Sequence, residues 1–233
     1  MLLTSSIVGV VGMNLAALLL VLGRAALFRT RLYRPMLMNI ALSVAPVGLL
    51  ALALLVLIVL TATGVPRPVV LVVVAGVLLG WLLLLPNAGY LITELNLSHR
   101  KAGDGVPEWY DVLLVLTLAM SGVLNTLMNV LAVQLVYVAI RYNDEAALVR
   151  PEVRALVAGV LLLVSFGIYL GRNLRVNSWD IRHPFGLLAK IGRHLRGSGG
   201  AAAAGFTVIG AVFFALMYLV VVGPVIATLV SVG

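Results

Sequence analysis

Cysteine is absent from this 233-residue sequence, and charged residues make up only 10% of it. Without a thiol the chain forms no disulfide, no zinc thiolate centre and no cysteine nucleophile, and cysteine usage gives no indication of a redox compartment. Soluble domains carry about 25% charged residues. A water-soluble fold therefore has too little polar side chain to cover this chain, and soluble classes are excluded.

Apolar residues take the place of the missing charge. They make up 63% of the sequence, and the mean hydropathy is +1.17. Several charge-poor stretches reach the ~20 residues that a helix needs to span a hydrocarbon core of about 30 Å. The composition therefore indicates a multi-pass membrane protein, folded as one helical membrane domain over residues 1–233.

Six apolar segments are each long enough to cross a bilayer. The first lacks the positively charged start and the small-residue cleavage site of a signal peptide, so it is read as a span. The predicted fold is an all-α, polytopic transmembrane helical bundle of about six spans plus an interfacial amphipathic helix. The predicted spans are 7–23, 36–62, 69–85, 112–140, 155–171 and 201–230.

The charge of the chain is strongly positive, with 16 basic and 8 acidic residues. In a soluble protein this excess would point to nucleic acid, but here the arginines lie between apolar segments, where they set topology and contact anionic headgroups. Nucleic acid binding is therefore not expected. Twelve of the sixteen basic residues, Arg24 among them, fall after the first, third and fifth spans. Cytoplasmic loops retain positive charge. These loops are therefore predicted on the cytoplasmic side of a bacterial inner membrane, and both chain termini on the opposite side.

The segment "FGLLAKIGRHLR", residues 185–196, has the pattern of a helix that lies in the membrane interface. At helical spacing Leu188, Ile191 and Leu195 share one face, and the basic side chains fall largely elsewhere. An ordinary amphipathic connector and a lipid-binding element both fit this pattern. The predicted partners are the bilayer and its anionic headgroups on the cytoplasmic side, while the sequence leaves protein partners and cofactors open.

A polar stripe follows the third span, in "WLLLLPNAGYLITEL", residues 81–95. Pro86 ends or kinks that span because it has no amide hydrogen to donate. If the chain after Pro86 is helical, Asn87, Tyr90 and Glu94 lie on one face. The sequence therefore predicts a polar stripe at the membrane border.

The fourth and fifth spans carry similar stripes. In the fourth, Asp111, Asn125 and Asn129 share a narrow face, and Gly122 lies beside them. This face is predicted to point into the bundle because unpaired amides are costly in hydrocarbon. The fifth span continues the pattern if its helix persists past Gly171. Its polar members are then Tyr169, Asn173, Asn177 and Asp180.

A functional interpretation brings these groups together at the cytoplasmic membrane surface. Carboxylates there can act as acid, base or ligands of a hard divalent cation, and an arginine can hold a phosphate or carboxylate. The candidate catalytic residues are Glu94, Asp111 and Asp180. The candidate substrate-binding residues are Asn87, Tyr90, Arg172, Asn173, Asn177 and Trp179.

A structural interpretation of the same groups stays open beside it. Asparagines then join helices through hydrogen bonds worth on average about 0.6 kcal/mol. Asp111 and Asp180 cap helix starts, and Arg172 pairs with one of them. The residues assigned to packing are Asn14, Asn39, Ser43 and Pro46, and those assigned to interfacial anchoring are Trp81, Trp109 and Trp179.

Three motifs stand out in the second half of the chain: "WLLLLPNAGYLITEL", "EWYD" at the head of the fourth span, and "GRNLRVNSWD" after the fifth. Together they resemble the bacterial membrane-protein family called domain of unknown function 1361, over roughly residues 75–185. The resemblance implies an inner-membrane, multi-pass protein and no particular reaction. The motif positions that it implies are Asn87, Tyr90, Trp109, Tyr110, Asp111, Arg172, Asn177, Trp179 and Asp180.

Three functions fit the sequence. The preferred one is binding or processing of an anionic lipid or lipid-linked substrate at the polar site, and the alternatives are a small-solute transporter and a structural or accessory subunit. Against transport, no charged residue lies in the middle of a span and no inverted repeat is visible. His99 and His183 have no partner at zinc-ligand spacing, so no metal site is predicted. Whether the chain is an enzyme stays open.

Overall fold

The computed structural model describes residues 2–96, 105–174, 184–197 and 199–232. Within these ranges the chain is helical and contains no strand, which confirms the all-α prediction. Several residues singled out in the sequence lie outside the described ranges. They are His99, Asn177, Trp179, Asp180 and His183.

The described α-helices are numbered in chain order. They are α1 (Leu2–Leu27), α2 (Arg34–Ala62), α3 (Arg67–Leu84), α4 (Pro86–Tyr90), α5 (Glu108–Arg141), α6 (Pro151–Leu174), α7 (Pro184–Arg196), α8 (Gly199–Val221) and α9 (Gly223–Val232). A 3₁₀ helix over Leu91–Asn96 follows α4, and a second over Glu145–Val149 precedes α6.

Among the described residues, six helices are long and apolar enough to cross a membrane. They are α1, α2, α3 with its continuation to Leu95, α5, α6 and α8, so all six predicted spans are present. Large apolar side chains such as Val72, Leu83 and Ile209 are exposed on these helices. Soluble monomers rarely expose apolar surface on this scale, whereas lipid is its natural solvent. The chain is a multi-pass membrane protein.

Six of the described helices carry proline in the first turn, and α2, α3 and α4 are examples. Pro35, Pro68 and Pro86 lie in the first turns of α2, α3 and α4. The first amides of a helix have no intrahelical acceptor, so proline loses no hydrogen bond there. The turn between α2 and α3 uses Gly64 at φ +70°, a backbone conformation that favours glycine.

The last predicted span differs from the prediction. One segment was expected over 201–230, but α8 ends at Val221 and α9 begins at Gly223. Pro224 has no amide hydrogen for the carbonyl four residues back, and its ring clashes with that carbonyl. The helix is therefore interrupted at the Gly223-Pro224 pair.

The helices pack into two compact units, with the boundary inside α5. Unit 1 is Met1–Asn129, and unit 2 is Val130–Gly233. The core of unit 1 gathers apolar residues from α1, α2, the first 3₁₀ helix and the first half of α5. Its buried members include Val21, Met36, Ile40, Leu91, Tyr110, Leu114 and Leu118.

In unit 2, α6 packs along α8. The buried face of α6 includes Val157, Leu161 and Val164, which recur at helical spacing. A Cβ added to Gly210 of α8 would lie 3.1 Å from the hydroxyl oxygen of Ser165, so this glycine lets the two helices approach closely. The predicted amphipathic helix is present as α7, which packs against α8.

Candidate functional site

The polar face of α5 is buried inside unit 1, as predicted. Asp111, Asn125 and Asn129 are all buried, although α5 is a membrane-spanning helix. Their partners come from α1, α2 and α3 and from within α5. This face therefore joins the helices of unit 1 to one another.

Asp111 forms a buried ion pair with Arg24. The Nε of Arg24, in the last turn of α1, donates to Asp111 Oδ1 at 2.8 Å, and the two side chains are 8% and 0% exposed. Arg24 also donates to the hydroxyl of Thr30 at 3.2 Å. The sequence interpretation placed Arg24 among the topology charges and gave Asp111 either a helix cap or Arg172 as partner. The structure corrects the role of Arg24, which lies on the buried face of α1 and pairs with Asp111, while Asp180, the other carboxylate proposed for Arg172, lies outside the described residues.

The spacing of residues in α1 carries a signal for this pair. Ala17, Val21 and Arg24 are the buried residues of α1, and they follow one another at four and then three residues. That spacing places an arginine on the same face as small and apolar core residues. An arginine on such a face needs a buried partner, whereas a topology charge does not.

The tyrosine of the "EWYD" motif also binds α1. The hydroxyl of Tyr110 donates to the carbonyl oxygen of Leu20 at 2.9 Å, and the ring packs edge-on against Phe28 with centroids 5.0 Å apart. A Cβ added to Gly23 would lie 2.6 Å from the Tyr110 hydroxyl, so only glycine leaves room for it. The two motif residues Tyr110 and Asp111 thus hold the same end of α1.

Four helices, α1, α2, α4 and α5, meet at a hydrogen-bonded group in unit 1. Asn14 Nδ2 donates to Asn125 Oδ1 at 2.8 Å, and Asn125 Nδ2 donates back to Asn14 Oδ1 at 3.0 Å. Asn125 also donates to Ser43 Oγ at 2.8 Å, and Ser43 in turn donates to the carbonyl of Ala88 at 3.0 Å. The structure therefore gives Asn14 and Ser43 the packing role that was predicted for them.

Gly122 lets the first motif lie directly on α5. A Cβ at this position would lie 2.7 Å from the carbonyl oxygen of Ala88 and 2.8 Å from Cβ of Leu91. Both partners belong to the segment that begins at Pro86. The small residue beside the polar face thus brings the chain after α3 into contact with α5.

Trp81 is a buried packing residue and not the interfacial anchor that was predicted. Its side chain is 3% exposed, and Nε1 donates to Asn129 Oδ1 at 3.0 Å. Asn129 Nδ2 donates to the backbone carbonyl of Asn125 at 2.8 Å. A buried indole needs an acceptor for its N–H, and Asn129 supplies it. Trp109, by contrast, is 62% exposed, as an interfacial anchor would be.

The polar stripe predicted after α3 is only partly present in the structure. Asn87 Nδ2 donates back to the carbonyl of Leu84 at 2.9 Å, whereas Glu94 Oε1 accepts a hydrogen bond from Asn39 of α2 at 2.8 Å. Tyr90 is half-buried. The chain is 3₁₀-helical from Leu91, and the change to about 120° per residue turns Glu94 by roughly 80° from its α-helical position. A single continuous polar face is therefore not formed.

Unit 2 holds the remaining described candidates, at the end of α6. Arg172 and Asn173 are exposed in its last turn, and Asn173 Nδ2 donates to the carbonyl of Tyr169 at 3.0 Å. Asn177, Trp179 and Asp180 lie outside the described residues.

A tyrosine and a histidine that were not predicted to interact fasten α7 to α6. The hydroxyl of Tyr169 lies 2.9 Å from His194 Nε2, and it donates to the carbonyl of Gly199 at 3.1 Å. A Cβ on Gly199 would overlap the His194 ring. The residue spacing in α6 indicates that Tyr169 is buried, since it continues the buried face of Val164 and Ile168. The partner on α7 could not be read from it.

The two candidate carboxylates among the described residues have different partners. Glu94 binds Asn39, and Asp111 binds Arg24. Among the described residues, no three histidine, aspartate or glutamate side chains group closely enough to hold a metal ion. The polar side chains of unit 1 therefore join its helices through hydrogen bonds and an ion pair.

Comparison with protein families gives one match. A family model described as "Protein of unknown function (DUF1361)" matches residues 38–221, which extends beyond the 75–185 of the three motifs. Comparison with curated proteins and with solved structures gave no match.

Proposed function

The chain belongs to this family, and we propose that it binds the headgroup of an anionic lipid or lipid-linked molecule at the membrane surface, through α7 and the adjoining end of α6. The proposal keeps the ligand class predicted from the sequence and moves the contact residues. The main support for this proposal is the exposed side of α7, which is half apolar and half basic.

That exposed side has the composition of a helix lying in a membrane interface. Phe185 is 85% exposed and Leu188 is 64% exposed, and Arg193 and Arg196 are exposed as well. At about 100° per residue, these two apolar side chains and two arginines follow one another within an arc of about 140°. The apolar part of such a helix enters the acyl boundary while the basic part stays among the headgroups.

The attachment of α7 fixes where this surface lies. His194 lies in the last turn of α7 and contacts Tyr169, which is one turn before Arg172 at the end of α6. Because α6 is a membrane-spanning helix, its end lies near headgroup depth. The basic residues of α7 and Arg172 therefore belong to the same border of unit 2.

Electrostatics favours an anionic partner at this border. Each basic residue near an anionic leaflet contributes about 1 kcal/mol of attraction. The positive-inside distribution of the loops supports a cytoplasmic location for α7, which is the side of the bilayer where anionic headgroups attract such segments. We assign no acid–base role to Asp111, because it is paired with Arg24 inside unit 1.

A scaffold or accessory function is the second candidate. It is favoured by unit 1, where Asn14, Asn125 and Trp81 use their polar groups between helices of the same chain. Such a unit is a rigid membrane body that a partner protein can bind. Crosslinking in cells that recovers no stoichiometric protein partner would count against this function.

The headgroup proposal is tested by lipid-selective quenching. Since the chain has no cysteine, Phe185→Cys creates a single site for a fluorescent label. The labelled protein is placed in nanodiscs that contain equal fractions of a quencher lipid, carried either on phosphatidylglycerol or on phosphatidylcholine. We expect stronger quenching by the anionic lipid, with an enrichment of up to about fivefold for each arginine.

Matched variants identify the source of the preference. Arg193→Gln with Arg196→Gln should bring the two quenching efficiencies close to each other, while the label keeps its membrane-like emission. Arg141→Gln with Arg150→Gln removes two exposed arginines outside α7 and should leave the preference unchanged. Equal quenching by the two lipids in the parent protein would refute the proposal.

A further inference from the structure

Unit 2 contains a cavity of about 580 Å³ that none of the motif residues lines. One wall is a face of α6 that begins at Arg154, the other is the face of α9 between Gly223 and Ser231, and α8 closes the floor. Ligand pockets in proteins have volumes of about 300–1,000 Å³ and mostly apolar walls. This cavity has the size and lining of a binding site.

The junction between α8 and α9 borders the cavity. Gly223 lies at the break and also lines the cavity, together with Ile226 and Val230 of α9. Only Val222 separates α8 from α9, and backbone hydrogen bonds from Val222 to Tyr218 at 2.8 Å and from Ile226 to Val222 at 3.0 Å cross the junction, so Pro224 bends the chain here without ending it. The junction between α8 and α9 therefore forms part of the cavity wall in unit 2.

The polar groups inside the cavity are already used by the protein. The hydroxyl of Tyr218 donates to Gln134 Oε1, and Gln134 Nε2 donates to the carbonyl of Leu148 at 3.0 Å. Ser231, at the far end of α9, donates to the carbonyl of Thr228 at 2.9 Å. The interior therefore offers apolar contact and fits an aliphatic chain better than a polar solute.

Arg154 is the one cationic residue of the lining. It is exposed in the first turn of α6, and it forms no ion pair within the part of the chain that the structure describes. The first turn of a 24-residue span lies at about headgroup depth. A guanidinium at that depth can bind a phosphate through two parallel hydrogen bonds.

We propose that this cavity binds one acyl chain of an anionic phospholipid from the surrounding bilayer, with the lipid phosphate held by Arg154. The apolar walls, whose polar groups are already hydrogen-bonded within the protein, favour an acyl chain. The arginine at the rim favours an anionic lipid headgroup. The site lies at the start of α6, whereas the α7 attachment lies at its end. Failure of either proposal leaves the other unaffected.

Native mass spectrometry of the full chain, released from nanodiscs of equal phosphatidylglycerol and phosphatidylcholine, tests the proposal. The parent protein should retain one phosphatidylglycerol in preference to phosphatidylcholine. Arg154→Gln should lower that retention by roughly tenfold or more, as expected for loss of a charged hydrogen bond. Arg150→Gln, four residues earlier and outside the lining, should retain the lipid as the parent does.

A second variant tests the cavity itself. Ala215→Phe places a ring on the α8 floor and should displace the lipid, with thermal unfolding measured to confirm that the variant is folded. Unchanged retention in Arg154→Gln would overturn the proposal. So would equal retention of the two lipids, which would show unselective filling by bilayer chains, or recovery of a free fatty acid instead of a phospholipid.

Discussion

Replacing Arg24 by methionine removes a buried cation while keeping much of the side-chain volume. The guanidinium Nε lies 2.8 Å from Asp111 Oδ1, and the Asp111 side chain is fully buried. In the variant the carboxylate loses this cation in surroundings where charges are weakly screened. The replacement Asp111→Leu makes the reverse change and leaves the guanidinium without its carboxylate.

The structure sets the size of the effect. Breaking a buried ion pair by removing one partner costs about 3–5 kcal/mol, whereas replacing both partners by apolar residues is often neutral or stabilising. Each single variant should therefore lose about 3–5 kcal/mol of unfolding free energy. The double variant Arg24→Met with Asp111→Leu should stay within about 1 kcal/mol of the parent.

Reversible unfolding in mixed detergent micelles measures these differences. The four proteins form a double-mutant cycle, and the predicted coupling energy between the two positions is then at least about 5 kcal/mol. Arg34→Met supplies the matched control, because Arg34 is an exposed arginine at the start of α2. Its effect should stay within about 0.5 kcal/mol.

Two results would refute this reasoning. Single variants that unfold like the Arg34→Met control would show that the pair does not stabilise unit 1. A double variant that loses the sum of the two single effects would show that the positions act independently, and that the 2.8 Å contact carries no coupling.

Three further changes have defined outcomes. Gly122→Ala should cost about 1–3 kcal/mol of unfolding free energy, because the new Cβ would lie 2.7 Å from the Ala88 carbonyl oxygen. Gly76→Ala is the control. A Cβ at Gly76 has nothing within 4 Å, so this variant should be neutral or stabilising. Trp81→Phe should cost about 1–3 kcal/mol, because the buried Asn129 Oδ1 loses its indole donor. His194→Phe removes the contact with Tyr169 and should speed limited trypsin cleavage within α7, whereas global stability changes less.

Helices and the faces they bury were predictable from the sequence. The apolar runs predicted all six spans, and the spacing of Asp111, Asn125 and Asn129 predicted a single buried face on α5. Both predictions follow from chain length and the period of about 3.6 residues, which are properties of one helix at a time. Neither depends on which neighbour the helix meets.

The partners of those faces were not predictable in the same way. Asp111 pairs with Arg24, 87 positions earlier in the chain, and Trp81 pairs with Asn129, 48 positions later. Periodicity states which face is buried, but it does not say which helix covers it. The buried face of α1 was the one available sign that Arg24 is a core residue.

Local backbone geometry caused the other differences. The 3₁₀ helix after Tyr90 changes the angle per residue, so Glu94 leaves the predicted stripe and reaches Asn39. The Gly223-Pro224 pair divides the last segment and accompanies the cavity of unit 2. The 3₁₀ helix begins five residues after Pro86, and the break in the last segment lies two residues before Pro224.

The central claim is that α7 binds the lipid, while the motif residues of unit 1 hold helices together. The most direct test is the lipid-selective quenching of the Phe185→Cys label in the Asp111→Asn variant, at a temperature where that variant is folded. The account predicts the parent preference for phosphatidylglycerol over phosphatidylcholine, despite lower stability. Loss of that preference in a folded Asp111→Asn protein would contradict the account and would make Asp111 part of the lipid site.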